Sequence, residues 1–161
     1  SICKFSPDYK PIITKCRKQS KDDSDFIAFE IRKLLADGII EESLSPWQAQ
    51  ALVVSHINYK KRLVIDYLQT INKYILLNAY LCLTWRQQYK KYKVFSAIDL
   101  HCAYHQIPIL LKDKLYIAFE AGGKLYQFSH ISFRVTNGIA CFQEPWIKLQ
   151  EKKTHKTHSH I

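Results

Sequence analysis

The chain has only four glycines, and two of them stand side by side as Gly122-Gly123. On either side lie β-rich runs, Tyr116 to Ala121 and Leu125 to Phe128. A Gly-Gly pair between two such runs supplies the backbone freedom of a tight hairpin turn. The pattern predicts an antiparallel hairpin there.

A helix is predicted early in the chain. Ser20 suits an N-cap, because its hydroxyl can accept from a free N–H of the first turn. Asp22, Asp23 and Asp25 follow, where the helix dipole favours negative charge. Ile27, Ile31, Leu34 and Leu35 recur at helical spacing and form one apolar face. Gly38 is a stop signal.

Ser45-Pro46-Trp47 breaks the chain after that helix. Ala51 to Ser55 and Arg62 to Tyr67 read as two strands around a polar stretch, hence a second hairpin, with Lys60, Lys61 and Arg62 at its tip and second strand. Residues 68–92 are less regular: Leu76 to Leu83 is apolar, and Trp85 to Lys93 is basic and aromatic. Val94 to Leu100 is a predicted strand that ends on acid. Thr136-Asn137-Gly138 opens a last helix around Ile139 to Leu149. The Lys, His, Thr and Ser of 151–161 read as a disordered, basic, His-rich tail. The spacing of His155, His158 and His160 there lacks the further ligands a metal site requires. Residues 1–19, with Pro7 and Pro11, read as an extended lead-in.

A length of 161 residues suits one domain, or one domain with a small lobe. The net charge is +10, mostly from Lys. Such a field attracts polyanions, nucleic acid first and an acidic membrane surface second, although solubility alone accounts for it equally well. The five cysteines are scattered without CxxC spacing, which argues against a cysteine zinc site and fits reduced thiols in the cytosol or nucleus. Residues at the start lack the charged-then-apolar pattern of a signal segment. No run reaches the roughly 18 apolar residues of a membrane-spanning helix, so no membrane span is expected.

The segment with most chemical content is Phe95-Ser96-Ala97-Ile98-Asp99-Leu100-His101-Cys102-Ala103-Tyr104-His105-Gln106-Ile107. A carboxylate at the end of a buried strand is costly unless it is solvated or binds a cation. Magnesium takes such hard oxygens together with substrate phosphates. A lone strand-end acid is more often a cap or a surface residue. Here its context resembles the first catalytic motif of gypsy-like long-terminal-repeat retrotransposon reverse transcriptases. Further blocks resemble that family in the same order. They are Gly38-Ile39-Ile40-Glu41 with Ser45-Pro46-Trp47; Lys61 to Tyr67 with Gln69-Thr70-Ile71-Asn72; Phe119-Glu120 with Tyr126-Gln127-Phe128; and Phe133 to Gly138 with Cys141-Phe142-Gln143. The resemblance covers roughly residues 7–80 and 92–143.

The resemblance implies an α+β fold, a partial right-hand polymerase. Fingers would span about 20–92, and an incomplete palm with an antiparallel sheet about 93–150. It implies that Asp99 is catalytic and ligates Mg2+, and that the Leu100 backbone lies near the triphosphate. Tyr104 would be the aromatic gate against a ribose 2′-hydroxyl, although its spacing alone suits a core tyrosine. Arg62 would grip the incoming triphosphate, since a guanidinium binds phosphate bidentately and keeps its charge. Lys61 (or Lys60) would add a point charge. Phe133 and Arg134 fall in the nucleotide-facing motif, and Gln143 would lie near the template–primer. The implied partners are an RNA template, a DNA primer and a deoxynucleotide.

The chain also departs from the family. Arg134 stands where glycine is usual, and Ser132 where proline is. Residues 81–88 do not match the family's acid-containing helix. No Asp follows Asp113, so the Tyr-x-Asp-Asp pair that would complete a two-metal site is absent from these residues. The expectation is a polymerase-like region inactive by itself, from a retroelement copy whose reading frame has drifted. The alternatives are a nucleic-acid-binding module without chemistry, through the Tyr, Trp and Lys of 85–93, and a decayed product with no function. Whether a complementing subunit exists is left open by the sequence.

Overall fold

The computed structural model describes residues 5–6, 9–55, 60–77, 99–141 and 143. The hairpin tip 56–59, the run 78–98 with most of the strand expected before Asp99, the end of the last helix and the tail 151–161 lie outside the described residues.

Helix α1 spans Lys21–Ala36. The Ser20 hydroxyl accepts from the Asp23 N–H at 3.1 Å, satisfying one of the helix's unpaired donors. At the other end Gly38 takes φ +67°. That left-handed turn lets Gly38 N–H reach the Leu35 carbonyl at 3.1 Å and Ile39 N–H reach that of Leu34 at 2.9 Å. These two bonds close the helix in a Schellman arrangement. Ile27 and Ile31 are buried and Leu34 is half-buried, but Leu35 is exposed. The helical sweep carries position 35 to the flank of the apolar face.

Strand β1 (Ile40–Glu42) follows directly, then β2 (Ala49–Ser55) and β3 (Lys61–Asp66). A four-residue helix α2 (Leu111–Lys114) leads through a 3-10 turn (Leu115–Ile117) into β4 (Phe119–Ala121) and β5 (Lys124–Phe128). Both expected hairpins are present. The Gly122-Gly123 hairpin is shorter than its sequence run, because Tyr116 and Ile117 complete the turn instead of extending β4.

The five strands form one mixed sheet in the order β1-β5-β4-β2-β3. All neighbours run antiparallel except β2 and β4, whose parallel joint pairs Ala49 with Phe119 and Gln50 with Glu120. This joint unites the two hairpins into one α+β unit. Ala49, Phe119, Ile117 and Ile71 are fully buried around it, and α1 packs Ile27 and Ile31 onto the same core. Tyr67 is buried there too, its hydroxyl donating to the Ile117 carbonyl at 2.9 Å.

The described residues ahead of α1 are pinned to the sheet. Ile13 bridges Gln48 in parallel and Phe5 bridges Ile75. Gln19 Nε2 donates to the Ala51 carbonyl at 2.8 Å. Phe5 and Tyr9 stack at 4.8 Å, and both pack around Trp47 and Tyr116. Among the described residues no helix is long and apolar enough to cross a membrane.

Candidate functional site

A cavity of about 690 Å³ lies between α1, β3 and the turn at 132–134. Phe26, Glu30 and Leu34 of α1 line one side, and residues 61–65 of β3 another. His105, Phe128, Phe133 and Arg134 close it from the far end of the chain. The wall is largely apolar, with Lys61, Arg62 and Arg134 as its cations and Glu30 as its acid.

The three cations differ in their partners. Lys61 Nζ donates to Asp23 Oδ1 at 2.8 Å and also pairs with Asp22. Those hydrogen bonds hold the Lys61 ammonium above its ordinary pKa. The bond from Lys61, followed by that from Ser20, holds Asp23 below the usual carboxylate range. So the acids at the start of α1, which the dipole alone would explain, also hold the tip end of the basic hairpin, where Lys61 opens β3. Among the described residues neither Arg62 nor Arg134 forms a salt bridge, and both side chains are exposed. The remaining described ion pairs, Lys114–Glu41 and Lys124–Glu42, brace β1 against α2 and β5.

Phe133 is 55% exposed, unusual for so large an apolar ring. It meets Tyr104 edge-on at 5.0 Å and His105 at 5.6 Å. These three rings form an aromatic shelf at the cavity, in the edge-to-face geometry that ring quadrupoles favour. Burial lowers the His105 pKa, and the neighbouring His130 lowers it further. Among the described residues, His130 Nδ1 is buried without a hydrogen-bond partner.

The turn carrying Phe133 is tied down on both sides. Ile131 N–H bonds the Ile107 carbonyl at 2.9 Å, and Pro108 bridges His130. Arg134 then takes φ +68°, the left-handed region that costs a non-glycine residue about 1–2 kcal/mol. It is the position where the family resemblance leads one to expect glycine, and the backbone keeps the conformation a glycine would adopt freely. Asn72 spans the turn. Its Nδ2 donates to the Arg134 carbonyl at 2.8 Å, and its Oδ1 accepts from Thr136 N–H at 3.1 Å. At about 1 kcal/mol each, these bonds offset the strain.

Of the residues singled out from the sequence, the cavity gathers Lys61, Arg62, Phe133 and Arg134, and Tyr104 joins them through Phe133. Asp99, Leu100 and Gln143 do not line it. Asp99 is an exposed carboxylate, Leu100 is half-buried, and Gln143 sits on the helical segment that begins at residue 138. Among the described residues no group of three or more His, Cys, Asp or Glu side chains stands ready to hold a metal ion. The described carboxylates therefore do not make up the magnesium site that the resemblance implies. His105 and Asn72 gain a place at the site only from the structure. His105 was visible within Tyr-His-Gln-Ile, but nothing in the sequence links Asn72 to a turn about sixty residues downstream.

The fold is shared with solved retroviral protease–reverse transcriptases. The native crystal structure from prototype foamy virus matches 89% of this chain and 20% of its own, with a TM-score of 0.66 at 20% identity. A foamy viral protease–reverse transcriptase in complex with double-stranded DNA matches 94% of this chain and 26% of its own, with a TM-score of 0.72 at 19% identity. No family model matches the chain.

Sequence relatives narrow that class. The retrovirus-related Pol polyprotein of the Drosophila melanogaster transposon gypsy is 31% identical over an alignment of 145 residues that covers 84% of this chain and 14% of the polyprotein. That of transposon 412 from the same organism is 30% identical over 145 residues, covering 84% and 12%. A Tf2 transposon polyprotein of Schizosaccharomyces pombe is 28% identical over 117 residues, covering 71% and 9%. The chain belongs to the gypsy-like retrotransposon Pol proteins, and spans a small part of the length of these relatives.

Proposed function

We propose that this chain is the fingers and partial palm of a gypsy-like reverse transcriptase, derived from an RNA-directed DNA polymerase, and that its cavity is the nucleotide-facing surface. The observation that carries this reading is the convergence of Arg62 and Arg134, far apart in sequence, on one cavity beside the Tyr104–Phe133 shelf. Guanidiniums with no ion-pair partner among the described residues suit a triphosphate, and exposed rings suit a base or sugar. In this reading fingers run to about residue 92 and palm from about 93 to 150. Lys61 supports Arg62, Tyr104 gates the sugar, the Leu100 backbone faces the triphosphate, and Gln143 faces the template–primer. Asp99 supplies one magnesium ligand. After Asp113 the acids of this chain are Glu120, Glu144 and Glu151, so these 161 residues by themselves are read as unable to polymerise. The cytosol or nucleus is the proposed location.

Primer extension on an RNA template with magnesium and deoxynucleotides tests the reading, alongside fluorescence titration with a deoxynucleotide. Binding without incorporation is expected. Robust incorporation overturns the inactivity, and incorporation that survives Asp99→Asn overturns the role of Asp99. No measurable nucleotide binding overturns the site.

A second reading, nucleic-acid binding without chemistry, has one observation in its favour. Lys10, Lys15, Arg17 and Lys18 lie along the pinned lead-in, with Lys21 at the start of α1, and all are exposed; none forms a salt bridge among the described residues. That a related fold has been solved on double-stranded DNA also supports it. Filter binding across a salt series separates this from non-binding: phosphate-driven association weakens steeply as salt rises, and a flat response rejects it.

A further inference from the structure

Asn72 has no role in the nucleotide reading, yet its geometry is unusually committed. It sits in a 3-10 turn, Ile71–Lys73, whose first residue is fully buried. Its own N–H bonds the Tyr67 carbonyl at 3.1 Å, so the side chain leaves from a fixed backbone. Both ends of its amide then bond one turn, the Nδ2 donating to the Arg134 carbonyl and the Oδ1 accepting from Thr136 N–H. A second asparagine ties the same segments in the reverse sense: Asn137 Nδ2 donates to the Leu76 carbonyl at 3.1 Å. The clamped residue is the strained Arg134, whose side chain lines the cavity with Arg62.

We propose that Asn72 is a positioning residue: by clamping the turn through the Arg134 carbonyl and Thr136 N–H, on either side of Val135, it holds the Arg134 guanidinium on the cavity as a second cation for a polyphosphate. This rests on the nucleotide-facing reading of the cavity. It gives Arg134 a function at a position where a long side chain would otherwise only crowd the space. An amide is required because the turn presents one acceptor and one donor, and Asn supplies the complement of each. A carboxylate supplies only acceptors, and Ala supplies neither.

The test is a double-mutant cycle on the whole 161-residue chain, with inorganic tripolyphosphate as the probe in calorimetry. Arg134→Gly is expected to weaken binding by about tenfold, the scale of one charge-assisted contact. Asn72→Ala is expected to weaken it by about fivefold while Arg134 is present, and by less than about twofold in the Arg134→Gly background. Asn72→Leu, which is close in size, neutral and supplies neither group, provides the same comparison if the alanine variant does not fold. Equal losses in both backgrounds would make Asn72 merely structural and overturn the proposal, as would no loss in either. If the unaltered chain binds tripolyphosphate but the cycle shows no coupling, only the role of Asn72 fails. If the unaltered chain does not bind it, the nucleotide reading fails as well.

Discussion

Lys61 Nζ donates to Asp23 Oδ1 at 2.8 Å, joining the first residue of β3 to the first turn of α1. The two lie 38 residues apart. Through this bond and its partner at Asp22, the ammonium nearest the cavity is already held by two carboxylates. Its neighbour Arg62 has no such partner among the described residues. Adjacent cations therefore have different work: Lys61 fixes the hairpin, and Arg62 lines the cavity without a described ion-pair partner.

Arg62→Ala and Lys61→Ala should then separate. Loss of Arg62 is expected to weaken deoxynucleotide binding by about tenfold or more, because a hydrogen bond to a charged group is worth about 1.5–3 kcal/mol. Loss of Lys61 should weaken it by less than about threefold, since its charge is largely met within the protein. Fluorescence titration of both variants checks the order, and a larger loss at Lys61 would reverse the assignment.

The backbone at Arg134 gives a prediction about stability. With φ at +68°, glycine relieves the strain and any other side chain retains it. Arg134→Gly should therefore be more stable than Arg134→Ala by about 1 kcal/mol. Comparing the two replacements removes the guanidinium from both, so the difference in urea midpoint reports the backbone alone. Equal midpoints would mean that the turn relaxes out of the left-handed region.

What could be read from the sequence was local. Ser20, Gly38 and the apolar spacing of α1 are short-range signals, and the structure forms that helix where they lie. Gly122-Gly123 marked its hairpin for the same reason. The parallel joint of Ala49 with Phe119 left no such mark. Parallel pairing joins segments far apart in sequence, and its few backbone bonds impose no residue pattern. β1 was missed because three residues are too few for alternation to register. Family motifs singled out Arg62 and Phe133, and the structure places both on the cavity wall. The commitment of Lys61 to Asp22 and Asp23 was not legible, since their position in a helix's first turn already accounted for those acids.

His105 should make stability depend on pH. Burial, with His130 alongside, depresses its pKa in the folded chain below the ordinary histidine value of about 6.5. The unfolded chain therefore binds more protons than the folded one below that value. The stabilisation is fully present above about pH 6.5 and is lost as pH falls through the folded pKa. The urea midpoint is expected to drop between pH 7 and pH 5, and to drop less in His105→Asn. An identical drop in the variant would assign the dependence to other groups.

Two phenylalanines test the division between scaffold and site. Phe119 is fully buried in β4, paired with Tyr126 across one strand boundary and with Ala49 across the parallel joint. Its ring lies 5.2 Å from that of Phe128. Removing it opens a cavity where the two hairpins meet, so Phe119→Ala should cost about 3–5 kcal/mol. Phe133 is mostly exposed and ends on the aromatic shelf. Phe133→Ala should cost less than about 1 kcal/mol in stability, while weakening deoxynucleotide binding by the roughly 1–3 kcal/mol of a base–aromatic contact. Thermal melts and nucleotide titrations of both variants settle it. If Phe133→Ala melts early and binds normally, the exposed ring belongs to the scaffold and the shelf is not a binding surface.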